Sequence, residues 1–126
     1  MGQVLMANFS DLRQPEMTKV RPVIILSPRL PYRSELVTVV PISLTPPRHE
    51  LPFCHLLSRN YHPGENQDKP SWAKADMVMT ISLGRLNGFK IGKRRWAYPE
   101  LSAEDLLEVR RAVLHGLGYG SLAMEL

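Results

Sequence analysis

One cysteine, Cys54, stands in the 126 residues, so no intrachain disulfide can form and no thiolate cluster is available for zinc. A reducing, cytoplasmic setting is the expectation that follows. No apolar run approaches the roughly 18 residues of a membrane span, so no membrane partner is expected. The stretch Met1 to Asn8 has neither the basic leader nor the long apolar segment of a signal peptide. Gly84, Gly88 and Gly92 recur every four residues but do not lead from a strand into a helix, as a phosphate-binding loop would. His49, His55, His62 and His115 lack ligand-like spacing, so neither a metal nor a cofactor is expected. No Ser-His-Asp combination stands out, and there is no repeat or low-complexity tract.

What is present fits one globular domain over residues 1–126. Its 44% hydrophobic and 22% charged residues are ordinary for a folded chain, and the length suits burial of about two-thirds of the unfolded surface. Sixteen Lys and Arg against twelve Asp and Glu give a net charge of +4, which is compatible with an anionic partner but does not require one.

Gln3 to Phe9 reads as a first strand, and Ser10 to Val20 as a polar loop punctuated by Pro15. Two aliphatic strands follow, Arg21 to Ser27 and Leu36 to Ser43, with prolines at their borders. Leu44 to Ser71 is a proline-rich excursion with one strand at Leu51 to Leu57. Ser71 to Ile81 predicts a strand interrupted near Ala75, then a helical turn at Ser82 to Leu86 and a strand or hairpin arm at Phe89 to Ile91. At the C-terminal end Ser102 can cap a helix whose first turn carries Glu104 and Asp105, suited to the dipole, and whose apolar stripe is Leu106, Val109 and Val113 with Leu107 and Leu114. Gly116 is the expected stop. The fold class expected is mainly β with a C-terminal α-helix, built as a compact antiparallel barrel.

The two aliphatic strands carry the chemistry. Paired as an antiparallel hairpin with Ser27 opposite Val37, they set Arg21 opposite Ser43 on one face; a slip of one residue would send the two to opposite faces. The plain alternative is that Arg21 is a solvated residue at a strand border. A basic run, Lys90, Lys93, Arg94 and Arg95, is interleaved with Trp96 and Tyr98; cations for phosphates and aromatic faces for bases suit a single-stranded nucleic acid. A solvated hairpin explains the same run, and for Trp72 and Trp96 a place in the core is expected.

Gly2-Gln3-Val4, Pro15-Glu16, Arg21-Pro22-Val23-Ile24-Ile25-Leu26-Ser27, Val39-Val40-Pro41-Ile42-Ser43 and Leu101-Ser102, in that order, resemble the MazF/PemK family of toxins from type II toxin-antitoxin systems. The resemblance spans nearly the whole chain, and only Leu44 to Ser71 is without a counterpart. It implies a homodimer of SH3-like barrels of the MazF/PemK/CcdB type. Such a dimer cleaves single-stranded RNA at short motifs without a metal and is neutralised by an antitoxin whose extended tail fills the RNA groove. The family's catalytic positions fall on Arg21 and on Ser43, where Thr is common; an acidic position falls near Asp76, with Lys74 where some members carry Arg. Pro15 stands where some members have His, and Met77 to Ser82 lacks the Arg and Asp of an Ile-Arg-Thr-Ile-Asp pattern.

Metal-free cleavage needs a base for the 2'-hydroxyl, stabilisation of charge on the phosphate and a proton for the leaving 5'-oxygen. A guanidinium with a pKa above about 12 suits the second task. Arg21 is therefore expected to bind phosphate and Ser43 to hydrogen-bond it, with Glu16 and then Asp76 as the candidate base. Lys19, Lys74, Lys90, Lys93, Arg94 and Arg95 are the expected RNA-binding cations. The competing readings are a gyrase-binding toxin of the CcdB type and an inactive RNA-binding relative; the chain ends Ser121 to Leu126 without the Trp of a gyrase poison's tail.

Overall fold

The computed structural model describes residues 1–126. Its strands are β1 (Val4–Asn8), β2 (Val20–Ile25), β3 (Leu36–Ser43), β4 (Cys54–Leu56), β5 (Trp72–Lys74), β6 (Met79–Ser82), β7 (Leu86–Asn87), β8 (Phe89–Gly92) and β9 (Arg95–Ala97), followed by helices α1 (Ala103–Gly116) and α2 (Gly120–Ala123). One antiparallel sheet runs β4-β5-β3-β2-β1-β7 with β6 also on β3, and β8 and β9 form a separate hairpin. The chain is thus mainly β with a C-terminal helix, as expected. The ladder does not close into a ring: it ends on the three-residue β4 at one side and the two-residue β7 at the other.

β2 and β3 are long aliphatic runs because both their faces are covered. On one face Val4, Ile24, Val40 and Ile42 join a core with Val109, Ala112 and Val113 of α1. On the other, Val23, Ile25, Val37 and Val39 pack with Ala7, Phe9, Met17 and Ile81. The register Val23↔Pro41, Ile24↔Val40, Ile25↔Val39 is the one that carries Arg21 toward Ser43. The expected Ser27–Val37 pairing does not form. Leu26 and Ser27 both donate their N–H to the Thr38 carbonyl, and Thr38 N–H returns to Ser27 Oγ at 3.0 Å, a bulge that ends the ladder.

The interruption expected near Ala75 is a 3-10 turn, Ala75–Met77. β5 and β6 lie along the same side of β3, yet the pairings Ile42↔Ala73 and Val39↔Met79 show that the register jumps by three residues between them. Those three residues are the turn, and they are extruded from the ladder. A second 3-10 turn, Leu83–Arg85, is capped by Ser82 Oγ accepting from Gly84 N–H at 3.1 Å. From it Arg85 makes a two-pronged ion pair with Asp11, 2.6 and 2.9 Å, and donates to the Asn8 carbonyl, tying down the loop after β1.

Ser102 caps α1, accepting from Asp105 N–H at 3.1 Å. α1 ends at Gly116, as expected, but the left-handed residue that terminates it is Gly118, two positions on. The chain reverses at Gly118, φ +86°, where Tyr119 N–H reaches the Leu114 carbonyl and Gly118 N–H the His115 carbonyl. Gly116 serves a different purpose: a Cβ there would sit 3.2 Å from Asp76 Cα, so its absence lets the helix end close on the extruded turn. Asp105 also departs from expectation. It is only 3% exposed, and it receives hydrogen bonds from His55 Nε2, Ser58 N–H, Ser58 Oγ and Tyr61 Oη, which fasten the excursion after β4 to the helix.

Candidate functional site

Arg21 lies near the start of β2, on the face that Val23 and Ile25 continue into the core. Its Nε donates to the Thr18 carbonyl at 2.8 Å, which fixes the neck of the side chain. Both Nη atoms are without a protein partner and are available to an anion. Ser43 ends β3 on the same face and is 7% exposed. Its Oγ accepts from Thr45 N–H at 3.1 Å, so the hydroxyl proton remains free to donate.

Both residues line one open groove of about 860 Å³, bounded by the β1–β2 loop, the segment after β3 and the extruded turn. Glu16, Lys74 and Asp76 line it too, so five of the site residues expected from sequence share one depression. Glu16 sits in the loop, its carboxylate accepting from Arg13 N–H at 3.1 Å. Asp76 is exposed at the centre of the 3-10 turn, pushed toward the groove by the register jump. Arg48, which sequence reasoning missed, adds a third cation; its signal was hidden in the Pro-rich excursion, where no periodicity says which way a side chain faces. With Arg21 and Lys74 it outnumbers the two carboxylates, which favours a phosphate.

Cys54 also lines this groove. Burial pushes its thiol pKa up; Lys74 pulls it down and Asp76 pushes it further up, so the thiol stays protonated at neutral pH and is a poor nucleophile. No three His, Cys, Asp or Glu side chains converge in a set that could hold a metal ion.

Not all expected residues meet here. Lys19 stands beside the groove without lining it; its φ of 69° turns the chain into β2, and its carbonyl is used by Phe9 N–H. Lys90, Lys93, Arg94 and Arg95 lie exposed on the β8–β9 hairpin, with Arg94 (φ 58°) in its turn, and none lines the Arg21 groove. Trp96 is 47% exposed there, contrary to the core position expected for it. Trp72 is half-buried and lines a second groove.

A family model described as PemK-like, MazF-like toxin of type II toxin-antitoxin system matches residues 1–117. Comparison with curated protein sequences returned no match. Among solved structures, MazF from Deinococcus radiodurans is similar with 24% identity and a TM-score of 0.66, over 93% of this chain and 94% of that one. The Mycobacterium tuberculosis toxin MazF-mt6 is similar with 24% identity and a TM-score of 0.62, over 91% and 95% of the two chains. A mycobacterial endoribonuclease in complex with its cognate antitoxin shares 18% identity with a TM-score of 0.62, over 93% and 92%. At such identities the likeness speaks for the fold. The family match covers the first strand, the Arg21 and Ser43 strands and α1, and by it the chain belongs to the PemK-like, MazF-like toxins of type II toxin-antitoxin systems.

Proposed function

We propose that this toxin is an endoribonuclease that cleaves single-stranded RNA in the Arg21 groove without a metal. The observation that carries the reading is the convergence of Arg21, Ser43, Lys74, Glu16 and Asp76 on one open depression. A scissile phosphate placed between the free Nη atoms of Arg21 and the Ser43 hydroxyl receives two kinds of donor. The guanidinium stabilises the extra negative charge of the transition state. Glu16 takes the proton of the 2'-hydroxyl, with Asp76 as the second choice of base. The 2'-oxygen then attacks phosphorus, the bond to the 5'-oxygen breaks, and that oxygen is protonated as it leaves. The products are a 2',3'-cyclic phosphate and a 5'-hydroxyl.

The hairpin cations Lys90, Lys93, Arg94 and Arg95 act at a distance, attracting RNA through their field rather than touching the reacting phosphate. Lys19, at the rim, belongs with them. A homodimer would set two such grooves side by side, and an antitoxin with an extended acidic tail would silence the toxin by filling them. Cleavage stops translation and growth until the antitoxin binds.

The test is direct. Wild type and Arg21→Ala are incubated with a long single-stranded RNA in EDTA. Discrete fragments from the wild type alone, ending in cyclic phosphate, are expected; RNA left intact by the wild type overturns the reading.

A further inference from the structure

A second groove, about 870 Å³, lies between the segment 46–52, β4 and α1. It shares Pro47, Arg48, Leu51 and Cys54 with the Arg21 groove, so the two depressions adjoin along that wall. The floor is continuous. Ser43 is opposite Trp72 in the β3–β5 ladder, Trp72 is opposite Leu56 and Lys74 opposite Cys54 in the β5–β4 ladder. Opposed residues, and residues two apart on a strand, point to the same face. Ser43, Lys74, Cys54, Trp72 and Leu56 therefore lie on one surface, and Trp72 is the immediate cross-strand neighbour of Ser43.

We infer that this second groove binds the nucleotide flanking the scissile bond, with its base stacked on Trp72 and its phosphate held by Arg48. The inference rests on the cleavage reading and names a subsite for it. An indole half-exposed on the strand beside a phosphate-binding hydroxyl offers a flat apolar face to a neighbouring base, and stacking on it is tolerant of sequence. Arg48 is exposed, makes no ion pair in the fold and borders both grooves, so it can bridge consecutive phosphates. The other arginine here is committed: Arg111 pairs with Glu108 and donates to the Ala123 and Leu126 carbonyls. The remaining charges facing the groove are Glu50 and the histidines His49, His55 and His115. His55 is held by Asp105 at 2.9 Å, which makes it part of the wall.

The chain's two tryptophans allow a clean measurement. In a Trp96→Phe background, emission comes from Trp72 alone, and a mixed-sequence 12-mer of single-stranded DNA binds without being cleaved. Saturable quenching of Trp72 is expected, with Trp72→Leu weakening the affinity measured by anisotropy about tenfold and Trp72→Phe retaining most of it. Arg48→Gln should lower the slope of log affinity against log salt by about 0.7, the value of one phosphate contact on a single strand. Unchanged Trp72 emission at saturating DNA overturns the subsite, even if the wild type cuts RNA. Quenching by DNA together with RNA left intact by the wild type would instead keep the subsite and remove the cleavage reading.

Discussion

His55 on β4 donates its Nε2 proton to Asp105 in the first turn of α1 at 2.9 Å, joining residues fifty positions apart. Asp105 is 3% exposed and also accepts from Ser58 and Tyr61, so removing its carboxylate strips the buried Tyr61 hydroxyl and the part-buried His55 ring of their partner. Asp105→Ala should lower unfolding stability by about 3 kcal/mol, the range for breaking a buried, hydrogen-bonded charge. Urea denaturation at pH 7 measures this, and a loss below about 0.5 kcal/mol would contradict the anchor role, being the size of an ordinary surface change.

The same carboxylate sets a pH dependence. Burial raises its pKa, but the bonds from Ser58, His55 and Tyr61 outweigh that and hold it below the usual carboxylate range. A group with a depressed folded pKa contributes stability above its unfolded value, and the contribution is lost as pH falls through the folded pKa. The stability gap between wild type and Asp105→Asn should be constant above about pH 5 and should shrink as the pH falls below about 4. Urea titrations from pH 7 to pH 3 read the difference; a gap that widens on acidification is the wrong sign.

At the groove, Arg21→Ala should reduce RNA cleavage at least about 100-fold, the scale of removing one charge-stabilising donor. Its stability should change by less than about 1 kcal/mol, because the guanidinium gives up only a bond to the Thr18 carbonyl. Arg21→Lys keeps the charge and loses the fork, so partial activity is expected. Initial rates with fluorescent RNA and a parallel melt separate the two effects.

Replacing Lys90, Lys93, Arg94 and Arg95 together by Ser should slow RNA association at low salt by about tenfold and flatten its salt dependence. The cleavage rate at saturating RNA should stay within about threefold, because none of the four lines the Arg21 groove. Stopped-flow binding and single-turnover cleavage test the distinction, and a collapse of the saturated rate would return the hairpin to the reaction site.

Cys54 reports on the charges beside it. Since Asp76 raises its pKa and Lys74 lowers it, Asp76→Asn should speed alkylation by iodoacetamide at pH 8 by about twofold and Lys74→Met should slow it. Equal rates in both variants would mean that these side chains do not face the thiol as described.

Much of this arrangement was legible in the residues. β2 and β3 announced themselves because unbroken aliphatic runs between prolines fit strands covered on both faces, whereas their register was open to a slip of one residue until the Val23↔Pro41 pairing settled it. Ser102 was legible as a cap because capping is local. Asp105 was not, since its partners arrive from a segment without periodicity and a carboxylate in a first turn has a sufficient local explanation in the dipole. Arg48 was missed for the same reason. The basic run Lys90 to Arg95 was legible as a charged stretch, but composition states only what a hairpin can attract, and it takes the fold to show that the run does not line the Arg21 groove.

Gly116 and the extruded turn have a joint consequence for variation. The ladder along β3 is already broken at Ala75–Met77, so exchanging Asp76 forfeits no strand pairing, and the acidic group can be swapped or moved while the sheet is indifferent. The position that is not free is on the other element: any side chain at Gly116 presses on the Asp76 backbone. The fold should therefore tolerate drift at the exposed acidic position and resist it at the glycine behind, the reverse of what an inventory of candidate site residues would suggest.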